Sequence, residues 1–223
     1  MLAVSSYNEL DIAVSKIIEK FSLNQHEASY DPEKFYQYLS VLEKDFFVPK
    51  TSITKIVSRL LFAIGSTSPK VMVGAGIYTG HAMAWIAGDQ YFKKDSARSI
   101  IGLDIDKEAI EKAQENFNKI GTLNVACLNE DAISWIKNYQ GEIDLLYIDI
   151  DTLEDGKKCY IDVLKAAYPK LKSNALVIAH DINEEKFKND LVPYIDFTSN
   201  KNFFRKNYNL NVDQYGLSVA QKI

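Results

Sequence analysis

The stretch from Lys70 to Ala87 constrains the fold of this chain more than any other part of the sequence. It begins with a short apolar run, residues 71–73, that is typical of a buried parallel strand. Gly74, Gly76 and Gly80 follow, and an apolar set at helical spacing comes after them. Glycines suit a turn at which the backbone approaches a ligand, and the next helix start offers unpaired N–H groups. The stretch therefore predicts a strand, a turn and a helix, forming either an ordinary tight turn or a ligand site.

Beyond Lys70, strand-like and helix-like segments alternate along the chain. The predicted strands span residues 70–74, 98–103, 123–128, 143–149 and 174–179. The predicted helices span residues 79–88, 107–119, 131–138, 154–168 and 184–195. This alternation favours an α/β fold with a doubly wound, mostly parallel sheet. Two β-rich runs, residues 203–209 and 215–222, then predict an antiparallel hairpin that completes one edge of the sheet.

The first third of the chain is predicted to be helical. Apolar residues at near-helical spacing indicate helices over about 8–21 and 32–44, and a third helix that Thr51 or Ser52 would cap. We predict a single domain, residues 1–223, with a helical cap over 1–66 and an α/β core over 67–223. Such a cap often roofs the ligand cleft, and its aromatic residues suggest an apolar or planar substrate there, although they suit a core as well. These aromatic residues are Tyr30, Phe35, Tyr36, Tyr38, Phe46 and Phe47.

Composition narrows the class of protein. A net charge of −4 and a pI near 5.5 argue against a nucleic-acid partner. Cys127 and Cys159 have no metal or redox spacing and are expected to be buried, reduced thiols. The sequence contains no apolar run of about 20 residues and no signal-peptide pattern, so we expect a cytoplasmic protein without a membrane partner.

Acidic residues follow four consecutive predicted strands, where ligands bind in such sheets. Asp104 follows the second strand, and a carboxylate there can accept both hydrogen bonds of a ribose diol. Asp106 is the better cap for the next helix. After the third strand, Asp131 suits either a helix cap or an adenine amino group. Asp149 follows the fourth strand, and the fifth ends at His180 and Asp181.

This pattern resembles the class I S-adenosylmethionine-dependent methyltransferases, and within them the catechol and caffeoyl-CoA type of small-molecule O-methyltransferase. The segment Gly76-Ile77-Tyr78-Thr79-Gly80 is similar to the glycine turn of that family. The resemblance covers residues 30–222 and implies a Rossmann-like, seven-stranded sheet with an antiparallel last strand. It also implies S-adenosylmethionine as cofactor. The cofactor-binding residues that it implies are Gly76, Tyr78, Thr79, Gly80, Asp104, Ile105, Asp131 and Asp149.

The departures from the family pattern concern the metal and the base. Members that use Mg²⁺ hold it with the strand-four aspartate and a strand-five Asp-Asn pair, which would make Asp149 and Asp181 the metal ligands here. However, Ile182 follows Asp181 and supplies no ligand. The lysine that often follows the strand-four motif is replaced by Thr152. Two carboxylates could still bind Mg²⁺, which keeps much of its hydration, so the metal remains an open alternative.

We therefore predict methyl transfer from S-adenosylmethionine to a hydroxyl of a small molecule. Without a metal, His180 is the candidate base, with Asp149 and Asp181 orienting it or the substrate; alternatively, His180 only hydrogen-bonds the substrate loop. With a metal, the two aspartates become ligands. Rival interpretations are N-methylation or RNA methylation, an NAD(P)-dependent oxidoreductase, and a non-catalytic nucleotide-binding or scaffold protein. A homodimer is a candidate assembly.

Overall fold

The computed structural model describes residues 8–21, 28–50, 52–93, 98–121, 124–152 and 154–223 of the 223-residue chain. Seven strands form one sheet in this part of the chain. In chain order they are β1 (Val71–Ala75), β2 (Ser99–Asp104), β3 (Val125–Asn129), β4 (Ile143–Ile148), β5 (Leu171–His180), β6 (Phe204–Leu210) and β7 (Leu217–Lys222).

The order of the strands across the sheet is β3-β2-β1-β4-β5-β7-β6. Strands β1 to β5 pair in parallel, whereas β7 is antiparallel to both β5 and β6. The predicted Rossmann-like fold with an antiparallel last strand is confirmed. Because β1 has β2 on one side and β4 on the other, the chain changes direction across the sheet at β1 and leaves a crevice beyond the strand ends.

Three helices precede the sheet: α1 (Glu9–Glu19), α2 (Pro32–Asp45) and α3 (Lys55–Gly65). Asn8, Asp31 and Thr54 cap them, each accepting a backbone N–H with its side chain. The prediction that Thr51 or Ser52 caps α3 is wrong for Ser52, because the helix begins later and Thr54 takes this role; Thr51 lies outside the described residues.

The remaining helices cover both faces of the sheet. They are α4 (His81–Ile86), α5 (Gly88–Lys93), α6 (Lys107–Ile120), α7 (Ala132–Asn138), α8 (Cys159–Ala167) and α9 (Lys188–Ser199). The helix predicted over 79–88 is two short helices. The helix predicted over 154–168 begins only at Cys159, because Thr152 and Gly156 exchange two backbone hydrogen bonds and hold the segment before it in a turn.

The core lies in two layers, one on each face of the sheet. One layer includes buried residues of α1 to α4 and α6 together with alternate residues of β1, β4 and β5, such as Met72, Leu145 and Leu176. The other includes residues of α7, α8 and α9 with the intervening strand residues, such as Val73 and Leu146. The N-terminal helices thus form a packing layer on one face of the sheet. No helix within the described residues is both long and apolar enough to cross a bilayer.

A buried ion pair joins α1 to α3. The Arg59 guanidinium lies 2.8 Å from the Asp11 carboxylate, and both side chains are at most 5% exposed. Tyr30 and Tyr36 donate their hydroxyls to Asp11 over 2.6 and 2.9 Å, and the guanidinium stacks on the Phe35 ring. Burial raises the pKa of Asp11, but the hydrogen bonds from Tyr30, Arg59 and Tyr36 outweigh it and lower this pKa below its usual value. The Asp11 carboxylate is therefore ionised, and both of its oxygens accept hydrogen bonds from protein groups.

Candidate active site

A cavity of about 640 Å³ opens at the carboxyl ends of β1, β2 and β4. Most of the residues that the sequence predicted for the site lie on its wall; they are Gly76, Tyr78, Thr79, Asp104, Ile105, Asp131, Asp149 and Asp181. Two predicted residues are not on the wall. Gly80 lies behind the turn, where an added Cβ would meet the Phe117 ring, and His180 is buried beside the cavity.

The glycine turn closes over the end of β2. The N–H groups of Gly76 and Ile77 both donate to the Leu103 carbonyl, over 2.9 and 3.2 Å. Gly76 has φ +78°, and a Cβ there would lie 2.3 Å from the Asp149 carbonyl oxygen. Tyr78 has φ +48°, a strained conformation for a bulky residue. A side chain at position 76 would therefore collide with the backbone that follows β4, so this position of the turn requires glycine.

The Thr79 side chain is a polar group that the protein leaves unsatisfied. It is 4% exposed and lies on the cavity wall. Within the described part of the chain, its hydroxyl has no hydrogen-bond partner. A buried polar group without a partner costs about 1–3 kcal/mol. Thr79 lines the cavity, but its hydroxyl oxygen is itself buried, so this oxygen does not mark a contact with a bound molecule.

Asp104 and Asp106, at the end of β2 and just beyond it, accept different hydrogen bonds. The Asp104 carboxylate accepts the Tyr78 N–H over 2.8 Å and the Asp106 N–H over 3.0 Å, and each oxygen keeps a lone pair for a ligand. Asp106 caps α6 by accepting the Ala109 N–H, as predicted. The ribose contact of Asp104 stays a prediction. Ile105 lies beside it and is 70% exposed.

Asp131 serves as a helix cap on the cavity wall. Its side chain accepts the Ser134 N–H over 2.8 Å at the start of α7. The neighbouring Glu130 also lines the cavity, although the sequence analysis gave it no role. The capping role of Asp131 is therefore established by the geometry, and its contact with an adenine stays a prediction.

Asp149, His180, Asp181 and Lys157 form a compact charged cluster at the floor of the cavity. The Lys157 ammonium lies 3.1 Å from Asp149 Oδ1 and 2.9 Å from Asp181 Oδ2. His180 Nδ1 lies 3.4 Å from Asp149 Oδ2 and 3.0 Å from Asp181 Oδ1. The Tyr147 hydroxyl also donates to Asp149 Oδ2, over 3.0 Å. The two carboxylates therefore face the cavity on one side and two nitrogen donors on the other.

The two cations keep both carboxylates ionised. Burial raises the pKa of Asp149, but Lys157 and His180 outweigh it and lower this pKa far below its usual value. The pKa of Asp181 is also lowered, since its hydrogen bond from His180 and the charges of His180 and Lys157 outweigh burial and the nearby Asp149. Burial lowers the pKa of Lys157, but the two carboxylates more than reverse this effect.

His180 is itself a cation in this cluster. Burial disfavours its imidazolium, but the hydrogen bonds and charges of Asp149 and Asp181 prevail and raise its pKa to about 10. The geometry does not favour the prediction that His180 is the base, because its Nδ1 faces both carboxylates and only Nε2 is left to accept a proton. Its Nε2 is buried and has no hydrogen-bond partner within the described residues. The geometry instead makes His180 a positioning residue.

This pKa predicts how His180 behaves in solution. Its folded value of about 10 exceeds the usual value of 6.5, so its stabilising contribution is complete below about pH 6.5 and is lost as the pH rises through 10. We expect the His180 ring signals in an NMR titration to stay constant between about pH 6 and 8. His180→Asn identifies the signals, and a midpoint near pH 6.5 would contradict the arrangement.

The residues of the cluster do not fit a Mg²⁺ site. Such an ion needs oxygen ligands at about 2.0–2.1 Å with free lone pairs directed at one point. All four carboxylate oxygens of Asp149 and Asp181 lie within 3.4 Å of the Lys157 ammonium or of His180 Nδ1. The space between the two carboxylates holds the Lys157 ammonium. The alternative in which these aspartates are metal ligands is therefore not supported by the geometry.

Sequence reasoning missed Lys157. It noted only that the lysine position directly after the Asp149–Asp151 motif is Thr152. Lys157 lies five residues further along, and the turn between Thr152 and Gly156 folds it back into the cluster. Lys158, next to it, is 61% exposed. Two adjacent lysines were the available signal, but their sequence alone does not say which one is buried.

A second missed group joins the helical layer to the cavity wall. Trp85 donates its indole N–H to His81 Nε2 over 2.9 Å, and His81 Nδ1 contacts the Ser52 hydroxyl. Burial lowers the pKa of His81 to about 4, so the ring is neutral and its hydrogen lies on Nδ1. Ser52 then accepts from His81 and keeps its own hydrogen for a ligand. Both Ser52 and His81 line the cavity.

The predicted roof of aromatic residues is wrong. Phe35, Tyr38 and Phe46 are buried in the core, and Phe35 stacks on Trp85 with ring centroids 4.8 Å apart. Tyr30 and Tyr36 belong to the Asp11 ion-pair cluster. From the segment before the sheet, the cavity wall includes only Pro49, Ser52 and Ile53 among the described residues. The cysteines also differ from expectation: both are half-buried, and Cys159 lines the cavity.

Comparison with solved structures identifies the same fold in methyltransferases. A Podospora anserina methyltransferase bound to S-adenosylhomocysteine is 16% identical, with all of both chains covered and a TM-score of 0.64. A Bacillus cereus O-methyltransferase in complex with S-adenosylhomocysteine is 14% identical, with 95% and 97% covered and a TM-score of 0.63. A Staphylococcus aureus protein assigned as a caffeoyl-CoA O-methyltransferase is 17% identical, with 95% and 100% covered and a TM-score of 0.63.

Sequence comparison adds one curated relative and one family match. Among curated proteins, a polyamine aminopropyltransferase of Caldanaerobacter subterraneus is 29% identical over 117 residues, which cover 50% of this chain and 38% of that relative. Residues 73–182, from β1 to just beyond β5, match the family described as Methyltransferase domain. Residues 73–182 therefore match the methyltransferase domain, and the chain has the class I methyltransferase fold that its sequence predicted.

Proposed function

We propose that this protein transfers the methyl group of S-adenosylmethionine to a hydroxyl of a small molecule. The observation that carries the proposal is the continuous cavity between the glycine turn and the charged cluster. At one end lie the glycine turn and Asp104, which suit a nucleoside cofactor. At the other end lie Asp149 and Asp181, two ionised carboxylates that suit a hydrogen-bond donor such as an acceptor hydroxyl.

The arrangement performs this chemistry mainly by alignment. The sulfonium of the cofactor makes its methyl group electrophilic, and the transfer needs an oxygen held in line with that methyl group. Asp149 and Asp181 would accept the hydrogen of the acceptor hydroxyl and so direct an oxygen lone pair toward the methyl group. Lys157 and His180 hold the two carboxylates in place, and the low pKa of Asp149 keeps it an acceptor throughout. As the bond between the oxygen and the methyl group forms and the bond from sulfur to that methyl group breaks, S-adenosylhomocysteine is left and the hydroxyl proton is released to water.

Cofactor binding is the direct test. Calorimetry with S-adenosylhomocysteine and with NAD distinguishes this proposal from the dinucleotide oxidoreductase. We expect saturable binding of S-adenosylhomocysteine and none of NAD. Binding of NAD alone would overturn the proposal, and binding of neither would favour the non-catalytic interpretation. The cytoplasmic location and the homodimer remain expectations.

Asp104→Asn should weaken S-adenosylhomocysteine binding about tenfold or more. The substitution removes the charge from a predicted ribose acceptor, and hydrogen bonds to charged groups contribute about 1.5–3 kcal/mol each. Asp106→Asn is a matched control, because it removes the same charge from the same wall and asparagine still caps α6. If both variants bind with wild-type affinity, the ribose does not lie at Asp104.

A second candidate function is transfer of an aminopropyl group to a polyamine, as the name of the curated relative states for that protein. The observation in its favour is the charge of the cavity. Among the described residues, those that line it include no lysine or arginine and seven acidic side chains: Asp104, Asp106, Glu130, Asp131, Asp149, Asp151 and Asp181. Such a lining suits a cationic amine better than an anion. Incubation with catechols and with polyamines, followed by product mass measurement, distinguishes a methyl from an aminopropyl group.

A further inference from the structure

Lys157 occupies the centre of the charged cluster with every hydrogen of its ammonium used. Its side chain is 0% exposed, and its nitrogen contacts Asp149, Asp181 and the Tyr160 hydroxyl at 3.1, 2.9 and 2.7 Å. An ammonium has three hydrogens, so three acceptors satisfy it. The Lys157 ammonium is therefore a buried, fully hydrogen-bonded positive charge between the two carboxylates, where a bound cation would lie.

The protein also prevents this side chain from moving away. The ammonium lies 4.9 Å from the centre of the Tyr160 ring and 5.3 Å from that of Phe187, so aromatic rings enclose it. Gly156, with φ +55°, lets the preceding turn press against Phe187, where a Cβ would lie 3.1 Å from that ring. Leaving the cluster would bury an ammonium without partners, which costs several kcal/mol.

We propose that Lys157 is the resident cation of this cluster and that it closes the cluster to divalent metal ions. The side chain performs the charge balancing that a bound metal would otherwise supply between Asp149 and Asp181. This inference goes beyond the proposed function and does not depend on it, because it concerns metal binding and not turnover.

Removal of the lysine side chain should create a metal site. Lys157→Ala leaves Asp149 and Asp181 with free oxygens around a space of the size that the ammonium filled. We expect wild-type protein to leave the electron paramagnetic resonance spectrum of Mn²⁺ unchanged and to show no change of melting temperature with Mg²⁺. We expect Lys157→Ala to bind Mn²⁺ and to gain about 5 °C in melting temperature at saturating metal.

Two further variants locate the effect. Lys158→Ala removes the exposed neighbouring lysine and should behave as wild type. Lys157→Ala combined with Asp181→Asn should lose the Mn²⁺ binding that Lys157→Ala gained. Binding of Mn²⁺ by wild type that Asp181→Asn abolishes would overturn the proposal, and so would a folded Lys157→Ala protein that binds no Mn²⁺. A Lys157→Ala protein that folds only with added metal supports it; if this variant folds under neither condition, the wild-type titration decides.

Discussion

Gly76→Ala is expected to reduce affinity for S-adenosylhomocysteine by about 100-fold or more, which corresponds to about 2.7 kcal/mol. The reason is geometric. An added Cβ would lie 2.3 Å from the Asp149 carbonyl oxygen, and both atoms belong to backbone that cannot rotate away. The clash displaces either the glycine turn, where we predict the cofactor contact, or the end of β4, which positions Asp149. The left-handed φ of +78° adds about 1–2 kcal/mol of strain for any residue with a Cβ.

The same substitution elsewhere separates strain from the clash. Gly121 has φ +69° at the end of α6, and among the described residues a Cβ there would meet only the Asn118 carbonyl oxygen, at 3.7 Å. Gly121→Ala should therefore lose about 1–2 kcal/mol of stability and keep wild-type affinity. Calorimetry and thermal melts of both variants check the expectation. A folded Gly76→Ala protein with unchanged affinity would show that no ligand depends on this turn.

Asp11→Ala is expected to lower the free energy of unfolding by about 3–5 kcal/mol. It removes one partner of a buried ion pair and leaves the Arg59 guanidinium, 5% exposed, bonded to the Tyr36 hydroxyl and the Lys55 carbonyl without the carboxylate that balances its charge. Urea denaturation with a two-state fit measures the change. Truncation of residues 1–22 also removes Asp11, so we expect it to lower the free energy of unfolding by at least as much.

An exposed ion pair provides the control for this prediction. Lys107 and Glu111 lie 3.8 Å apart on α6 with side chains 75% and 64% exposed. Glu111→Ala should cost less than about 1 kcal/mol, because water screens such pairs. If Asp11→Ala lowered the free energy of unfolding as little as Glu111→Ala, the buried ion pair would contribute no more than an exposed one. The pair would then not be what holds α1 against α3.

The sequence predicted the fold and the location of the site because both follow from local patterns. Apolar runs alternate with amphipathic ones, and parallel strands bring their carboxyl ends to one edge. Asp104, Asp131, Asp149 and Asp181 therefore had to lie near one another, whatever the details of packing. Caps are equally local, which is why Asp106 was assigned correctly.

The features that sequence reasoning missed depend on contacts between distant segments. Lys157 reaches Asp181 because a tight turn precedes α8 and the helix begins only at Cys159. The sequence of this segment does not predict that turn. The neutral state of His81 depends on its burial, and its contact with Ser52 joins residues 29 positions apart. The surroundings of His180 have the same origin, since its pKa is raised by two carboxylates whose positions only the folded chain defines.

The contact between Gly76 and the Asp149 carbonyl has a consequence for ligand binding. The Asp149 N–H donates to the Ala75 carbonyl over 2.9 Å, so the cofactor turn and the acceptor end of the cavity share one backbone junction. Neither end can shift without moving the other. Donor and acceptor affinities are therefore expected to be thermodynamically linked. By reciprocity, the factor by which bound cofactor changes the affinity for the acceptor equals the factor by which bound acceptor changes the affinity for the cofactor.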